Sequence, residues 1–155
     1  MSANEWLKLV LPGALGLLTA VFAAMLSARW AVRRAYQEKW WEKKHQAYSE
    51  IIESLHDHLR HADLCAQEYM SDRSDEAKSK EFAARSSEAH WRIKKAIDMG
   101  SLMITSEAID ILKALYSRKR LKWEENSPLD IYDEDCDHYR KAIQAICKIA
   151  RHELT

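Results

Sequence analysis

The chain has 155 residues, and its 24 basic and 24 acidic side chains cancel to a formal charge of zero at pH 7. That balance argues against a duplex nucleic-acid binder, which carries a basic excess or a basic face. Three glycines and two prolines leave few helix breakers, and three cysteines without CxxC spacing argue against a disulfide framework or thiolate metal site. The expected class is an all-α protein with reduced thiols packed as small core residues.

The first element is apolar. Residues 9–27 read LVLPGALGLLTAVFAAMLS, without one charged side chain. With Trp6 and Leu7 before it and Ala28 and Trp30 after it, the stretch reaches the roughly 20 residues a helix needs to cross a bilayer. The expected anchor is 1–35, with the span itself at about 7–28 and an indole near each interface. Pro12 falls in the first turns, where its missing donor does little harm. Arg29, Arg33, Arg34, Lys39, Lys43 and Lys44 follow the span, against Lys8 and Glu5 before it. The positive-inside rule then puts the N-terminus outside and the domain 36–155 in the cytoplasm. A cleaved signal would instead show a basic n-region and a shorter apolar core. Gly16, Ala20, Ala24 and Ala28 recur every four residues, a spacing that lets helix backbones approach in lipid and predicts a homo-oligomer. The span has no internal charge on which to build ion conduction.

No breaker separates the span from the residues after it. Trp41, His45, Tyr48, Ile52, Leu55, Leu59, Ala62, Ala66 and Tyr69 keep alternating steps of four and three, the apolar stripe of a helix that packs on others. The spanning helix is expected to run on as a stalk ending near Met70. A polar turn at 71–75 precedes a second helix from Ser74 or Asp75 to Met99, capped by Gly100. Its apolar positions are Phe82, Ala89, Ile93, Ala96 and Ile97. Residues 102–104 form a short buried connection. Thr105 caps a third helix, with Ile104 and Ile109 as a hydrophobic staple. That helix is read as turning basic over Arg118–Lys119–Arg120–Leu121–Lys122 beside Trp123, before an acidic loop from Glu125 to Asp135 that contains Pro128. The last helix carries Tyr132, Cys136, Tyr139, Ile143, Ile146, Cys147, Ala150 and Leu154. About four helices with short links predict an antiparallel bundle.

Candidate chemistry is sparse. GxGxxG, GxxxxGK[ST], GxSxG and HExxH are all missing, so no catalytic residue, cofactor or metal site is expected. His56, Asp57, His58 and His61 crowd one region, but the ligand count falls short of a zinc site, and a solvated helix face is the plainer reading. Arg118, Arg120, Lys122 and Trp123 offer guanidinium forks, an ammonium and a stacking surface, the chemistry that meets an anionic ligand. Arg92, Lys94, Lys95, Arg140 and Lys141 are candidates to join them. The alternative is a solvated helix end whose cations complement the dipole.

The run 40–56, WWEKKHQAYSEIIESLH, resembles a group of small bacterial proteins that join one spanning helix to a WWEKKxxAYxxIIxxLH segment. Residues 95–100, KAIDMG, and 106–108, SEA, resemble the same group's second signature. The resemblance implies a bacterial inner-membrane protein and brings no catalytic residues. In layout the chain also resembles membrane-anchored antiphage effectors, such as those of type III CRISPR systems. That likeness implies an oligomeric effector or sensor in antiviral defence, whose cytosolic helices bind an anionic ligand, with cyclic oligoadenylate the candidate, and then perturb the bilayer. The alternative is a passive membrane-tethered scaffold that recruits a cytosolic partner protein. Its partners are then the lipid bilayer, further copies of itself, and a cyclic nucleotide or a protein.

Overall fold

A computed structural model describes residues 3–71 and 75–154, and their side chains except those of 3–15, 17, 18 and 101. The fold is all-α. Helix α1 covers Ala3–Ser71 and α2 covers Glu76–Met99; a single 3-10 turn follows at Gly100–Leu102, then α3 at Ser106–Ser117 and α4 at Pro128–Leu154. The described residues contain no strand.

The chain forms two units, Met1–Trp41 and Glu42–Thr155, a division later than the expected boundary after residue 35. Burial explains the difference. Every described side chain from Thr19 to Lys43 is exposed, and Tyr48 is the first fully buried one. Trp41 and His45, expected on the packed stripe, are therefore exposed, as is Tyr69 at its far end. Among the described residues no helix is long and apolar enough to cross a membrane; half the side chains of the expected span at 7–28 lie outside them.

The unit Glu42–Thr155 is a helical bundle. Its core joins Tyr48, Ile51 and Leu55 of α1 to Ile93 of α2, Ala108, Ile109 and Leu112 of α3, and Ala142, Ile146, Ile149 and Ala150 of α4. Local signals set the helix ends. Asp75 accepts from the Lys78 N–H at 3.2 Å and opens α2. Gly100 closes it at φ 62, a left-handed value that a side chain would resist, and its N–H returns to the Ala96 and Ile97 carbonyls. Thr105 Oγ1 accepts from the Ala108 N–H at 3.4 Å, while Ile104 and Ile109 both enter the core as the staple required. The connection before it is only partly buried, since Leu102 faces solvent.

Tyr48 ties α1 to this cap. Its hydroxyl accepts from the Thr105 N–H at 3.2 Å and lies 3.1 Å from Thr105 Oγ1, with the ring fully buried. Tyr48→Phe removes the partner of the half-buried Thr105 amide, so a loss of about 1 kcal/mol is expected. Urea unfolding should show it as a lower midpoint at unchanged slope.

Two expected boundaries are corrected. Helix α3 stops at Ser117, and Arg118 is extended at φ −61, ψ 145, so the basic segment is a loop rather than a helix end. Its guanidinium groups turn to Asp135 on α4, and the Leu121 N–H donates to Glu134 Oε2 at 3.3 Å, contacts a continued helix would forfeit. The acidic loop is also shorter than expected, because Pro128 opens α4 and Asp130 to Asp135 are helical. Ser127 provides the reason: its Oγ accepts from the Leu129 N–H at 3.2 Å, and proline at the first helical position costs no bond. The three cysteines are unpaired; Cys136 is buried, and Cys65 and Cys147 are half-buried.

Candidate functional site

A cleft of about 500 Å³ opens within the unit Glu42–Thr155, and every helix of that unit contributes to it. From α1 come His58 and His61, from α2 Ser86, Ser87 and His90, and from α3 Tyr116. The loop after α3 adds Arg118 and Arg120, and α4 adds Tyr132, Asp135 and Tyr139.

His58 is the hub. It is 8% exposed, with Nδ1 2.8 Å from Ser86 Oγ and Nε2 3.0 Å from the Tyr116 hydroxyl. Its ring stacks on Tyr139 with centroids 5.1 Å apart and 6° between planes. His90 meets the Tyr116 ring edge-on at 5.1 Å. Burial, then the neighbouring His90 and His61, push the His58 pKa from 6.5 down to about 4, against the pull of Asp57 and Asp135. The imidazole is thus neutral at pH 7, one nitrogen donating and the other accepting between two hydroxyls. Burial also raises the Tyr116 and Tyr139 hydroxyls, which stay protonated.

Stability therefore depends on pH. The unfolded chain takes up a proton at His58 near pH 6.5, whereas the folded protein does so only near 4. Between those values the unfolded state binds more protons, so stability falls as pH falls, by up to about 3 kcal/mol. Chemical unfolding at pH 7, 5.5 and 4.5 should show this decline, and His58→Gln should flatten it.

The second feature is ionic. Asp135, 3% exposed, is gripped by two guanidinium groups: Arg118 Nη2 donates to Oδ1 and Arg120 Nη2 to Oδ2. The Arg118 side chain is 12% exposed, and its Cζ lies 5.6 Å over the Tyr139 ring. Two buried side-chain atoms among the described residues have no hydrogen-bond partner, Glu68 Oε1 and Arg118 Nη1, and of these residues only Arg118 lines the cleft. Two arginines against one aspartate leave the lining with one surplus positive charge. A larger cleft of about 650 Å³, lined by Lys43, Ile51, Lys95, Met99 and Met103 among others, contains neither orphaned atom.

Of the four residues expected to contact a ligand, Arg118 and Arg120 are brought together here. The other two are not in the lining. Lys122 pairs with Glu125 at 2.7 Å on the surface, and Trp123 stands edge-on to Tyr132 with centroids 5.7 Å apart. None of the further cations joins the cleft: Arg92 pairs with Glu88 at 2.6 Å, Lys94 lies 5.1 Å over Trp91, and Arg140 pairs with Asp137 at 3.4 Å. Gly16, Ala20, Ala24 and Ala28 are exposed in the single chain, and a Cβ at Gly16 would meet nothing within 4 Å.

The solvated-face reading of the histidine cluster is corrected for two of its members. Asp57 and His58 are buried, Asp57 paired with Arg85 at 3.1 Å, while His56 is exposed and His61 half-buried. Helix α1 packs against elements on several sides, so its buried arc takes in Ile51, Ser54, Asp57 and His58 beside the apolar stripe. Among the described residues no three His, Cys, Asp or Glu side chains converge to hold a metal. Asp135 and the hydroxyl partners of His58 were not singled out from the sequence. For Asp135 a signal existed: it shares the row of Ile131, Ala142 and Ile146, where a carboxylate is out of place. No family model matches the chain, and neither a curated protein nor a solved structure matches it.

Proposed function

We propose that this chain is an oligomeric single-span protein of the bacterial inner membrane, with its N-terminus outside and the helical unit Glu42–Thr155 in the cytoplasm. The unit binds a small anionic ligand in the cleft, and binding perturbs the bilayer, as in an effector or sensor of antiviral defence. The membrane assignment is supported by the charge-free run 9–27, the cations behind it, and the outward-facing Val21, Phe22, Met25 and Trp30. Gly16, Ala20, Ala24 and Ala28 are the residues for helix association.

The observation that carries the ligand reading is Arg118: a buried guanidinium nitrogen without a partner, in a cleft with a surplus positive charge. An unpaired buried donor costs free energy that an anion would recover. The cleft has the size of ordinary small-ligand sites, so a cyclic oligoadenylate would enter by one nucleotide's phosphate and base. A ligand shifts the arrangement of spanning helices only by binding two arrangements with different affinity.

The experiment is calorimetric titration of the full chain in lipid nanodiscs with adenosine 5′-monophosphate and with a cyclic oligoadenylate. Arg120→Ala, a largely exposed position, should weaken binding about tenfold, the worth of one charge-assisted hydrogen bond. Equal binding by wild type and variant removes the cleft from the account. Retention of the chain in the pellet after carbonate washing tests the anchor; its appearance in the wash disproves it. A passive scaffold is the second reading, favoured by the exposed Trp91 on α2. Such a protein binds neither nucleotide and leaves cell growth unchanged when expressed.

A further inference from the structure

We infer that Asp135 is a built-in competitor for the anion site, holding Arg118 and Arg120 until a phosphate group takes its place. The inference rests on the anionic-ligand reading and adds how that site is regulated. Each oxygen of the Asp135 carboxylate receives one guanidinium nitrogen, so a single internal anion engages both arginines of the cleft. A phosphate offers the same fork-shaped recognition with more oxygens and more charge. It cannot use the same donors while the carboxylate does, and the carboxylate's charge opposes its approach at short range.

The two arginines sit on the loop between α3 and α4, whereas Asp135 belongs to α4 itself. Capture of the arginines by a ligand therefore unfastens that loop from α4. Of the ties described there, the Leu121 N–H to Glu134 contact and the edge-on Trp123–Tyr132 contact are left. The ligand signal is a loop released from its helix, and the unliganded state is the fastened one. Arg120, 55% exposed, is the arginine an incoming phosphate reaches first, and Arg118 Nη1, buried and unpartnered, is a further donor for it once the exchange is made.

The test compares full-length wild type with Asp135→Asn in phosphatidylcholine nanodiscs, with inorganic phosphate as the probe. The amide keeps one acceptor and removes the charge, so phosphate should bind the variant about tenfold or more tightly than wild type. Should the variant fail to fold, wild type labelled at aspartate carboxyl carbon and arginine side-chain nitrogen decides instead. Saturating phosphate should then shift the Asp135 carboxyl resonance together with those of Arg118 and Arg120. Phosphate binding that is equal or weaker in Asp135→Asn, or that leaves the Asp135 resonance in place, overturns the competitor and spares the ligand site. Absence of phosphate binding by both folded proteins overturns the ligand site and the competitor with it. Adding phosphatidic acid to the nanodiscs separates the two sources of phosphate: a headgroup ligand would shift the resonances before any inorganic phosphate is added.

Discussion

Leu112→Ala should lower the unfolding free energy of the bundle by about 3–4 kcal/mol, the range for a fully buried leucine in a well-packed site. Leu112 is completely buried and lies in the core built by Tyr48, Leu55, Ile93 and Ile146 of the three other helices. Truncation removes the transfer free energy of three carbons and leaves a void. Because α3 is only 12 residues long, it has few other buried side chains, Ala108 and Ile109, to hold its place. The neighbouring helices are tied elsewhere, α1 to the α3 cap through Tyr48 and to α4 through the Lys44–Glu153 ion pair, so collapse around the void is limited. Urea unfolding followed by circular dichroism measures the effect; a loss below about 1 kcal/mol would mean that α3 repacks freely.

Arg118→Ala is expected to cost about 3 kcal/mol, while Arg120→Ala costs less than about 1 kcal/mol, although both residues grip the same carboxylate. The contrast comes from burial. Arg118 is 12% exposed and Arg120 is 55% exposed, so only the first is a desolvated partner, and its loss leaves the buried Asp135 with the solvent-screened Arg120 alone. Arg118 also supplies the guanidinium over the Tyr139 ring, a contact that disappears with it. Removing a buried ion's partner is far more harmful than removing a surface one, because the orphaned charge keeps its desolvation cost. Thermal unfolding of the two variants side by side checks the asymmetry. Equal losses would place Asp135 in better contact with solvent than its 3% exposure implies.

These two expectations were legible in the sequence to different degrees. Leu112 stands at a helical spacing from Ile109, Leu115 and Tyr116, and an apolar residue in such a row goes inward whatever it packs on. Asp75, Gly100 and Thr105 were equally plain, since capping depends on residues only three or four apart. The ion cluster was half visible. Arg118 and Arg120 stood out as cations beside aromatic groups, but their anion lies 15 to 17 residues further on, across a loop whose path no local rule describes. The same loop produced the two boundary errors: propensity favours helix through Arg118, and tertiary pairing with Asp135 and Glu134 overrides it.

His58 shows the limit from the other side. Four neighbouring titratable residues, His56, Asp57, His58 and His61, look alike in sequence, and helical geometry alone separates them only by angle around the axis. Which of them is desolvated depends on where α2, α3 and α4 lie, and these helices surround His58 with Ser86, Tyr116 and Tyr139. Its depressed pKa is therefore a property of the assembly and not of the segment.

The sequence by itself determined the all-α class, the caps and the apolar rows, because these follow from steric and hydrogen-bonding rules acting within a few residues. It also marked the charge-free run 9–27, since hydropathy and flanking charge are sums over adjacent positions. Only the tertiary structure decided which polar side chains are buried, that Arg118 and Arg120 close on Asp135, and that a cleft forms around His58. Burial and pairing are set by distances between residues far apart in the chain, and pKa and ligand chemistry follow from those distances.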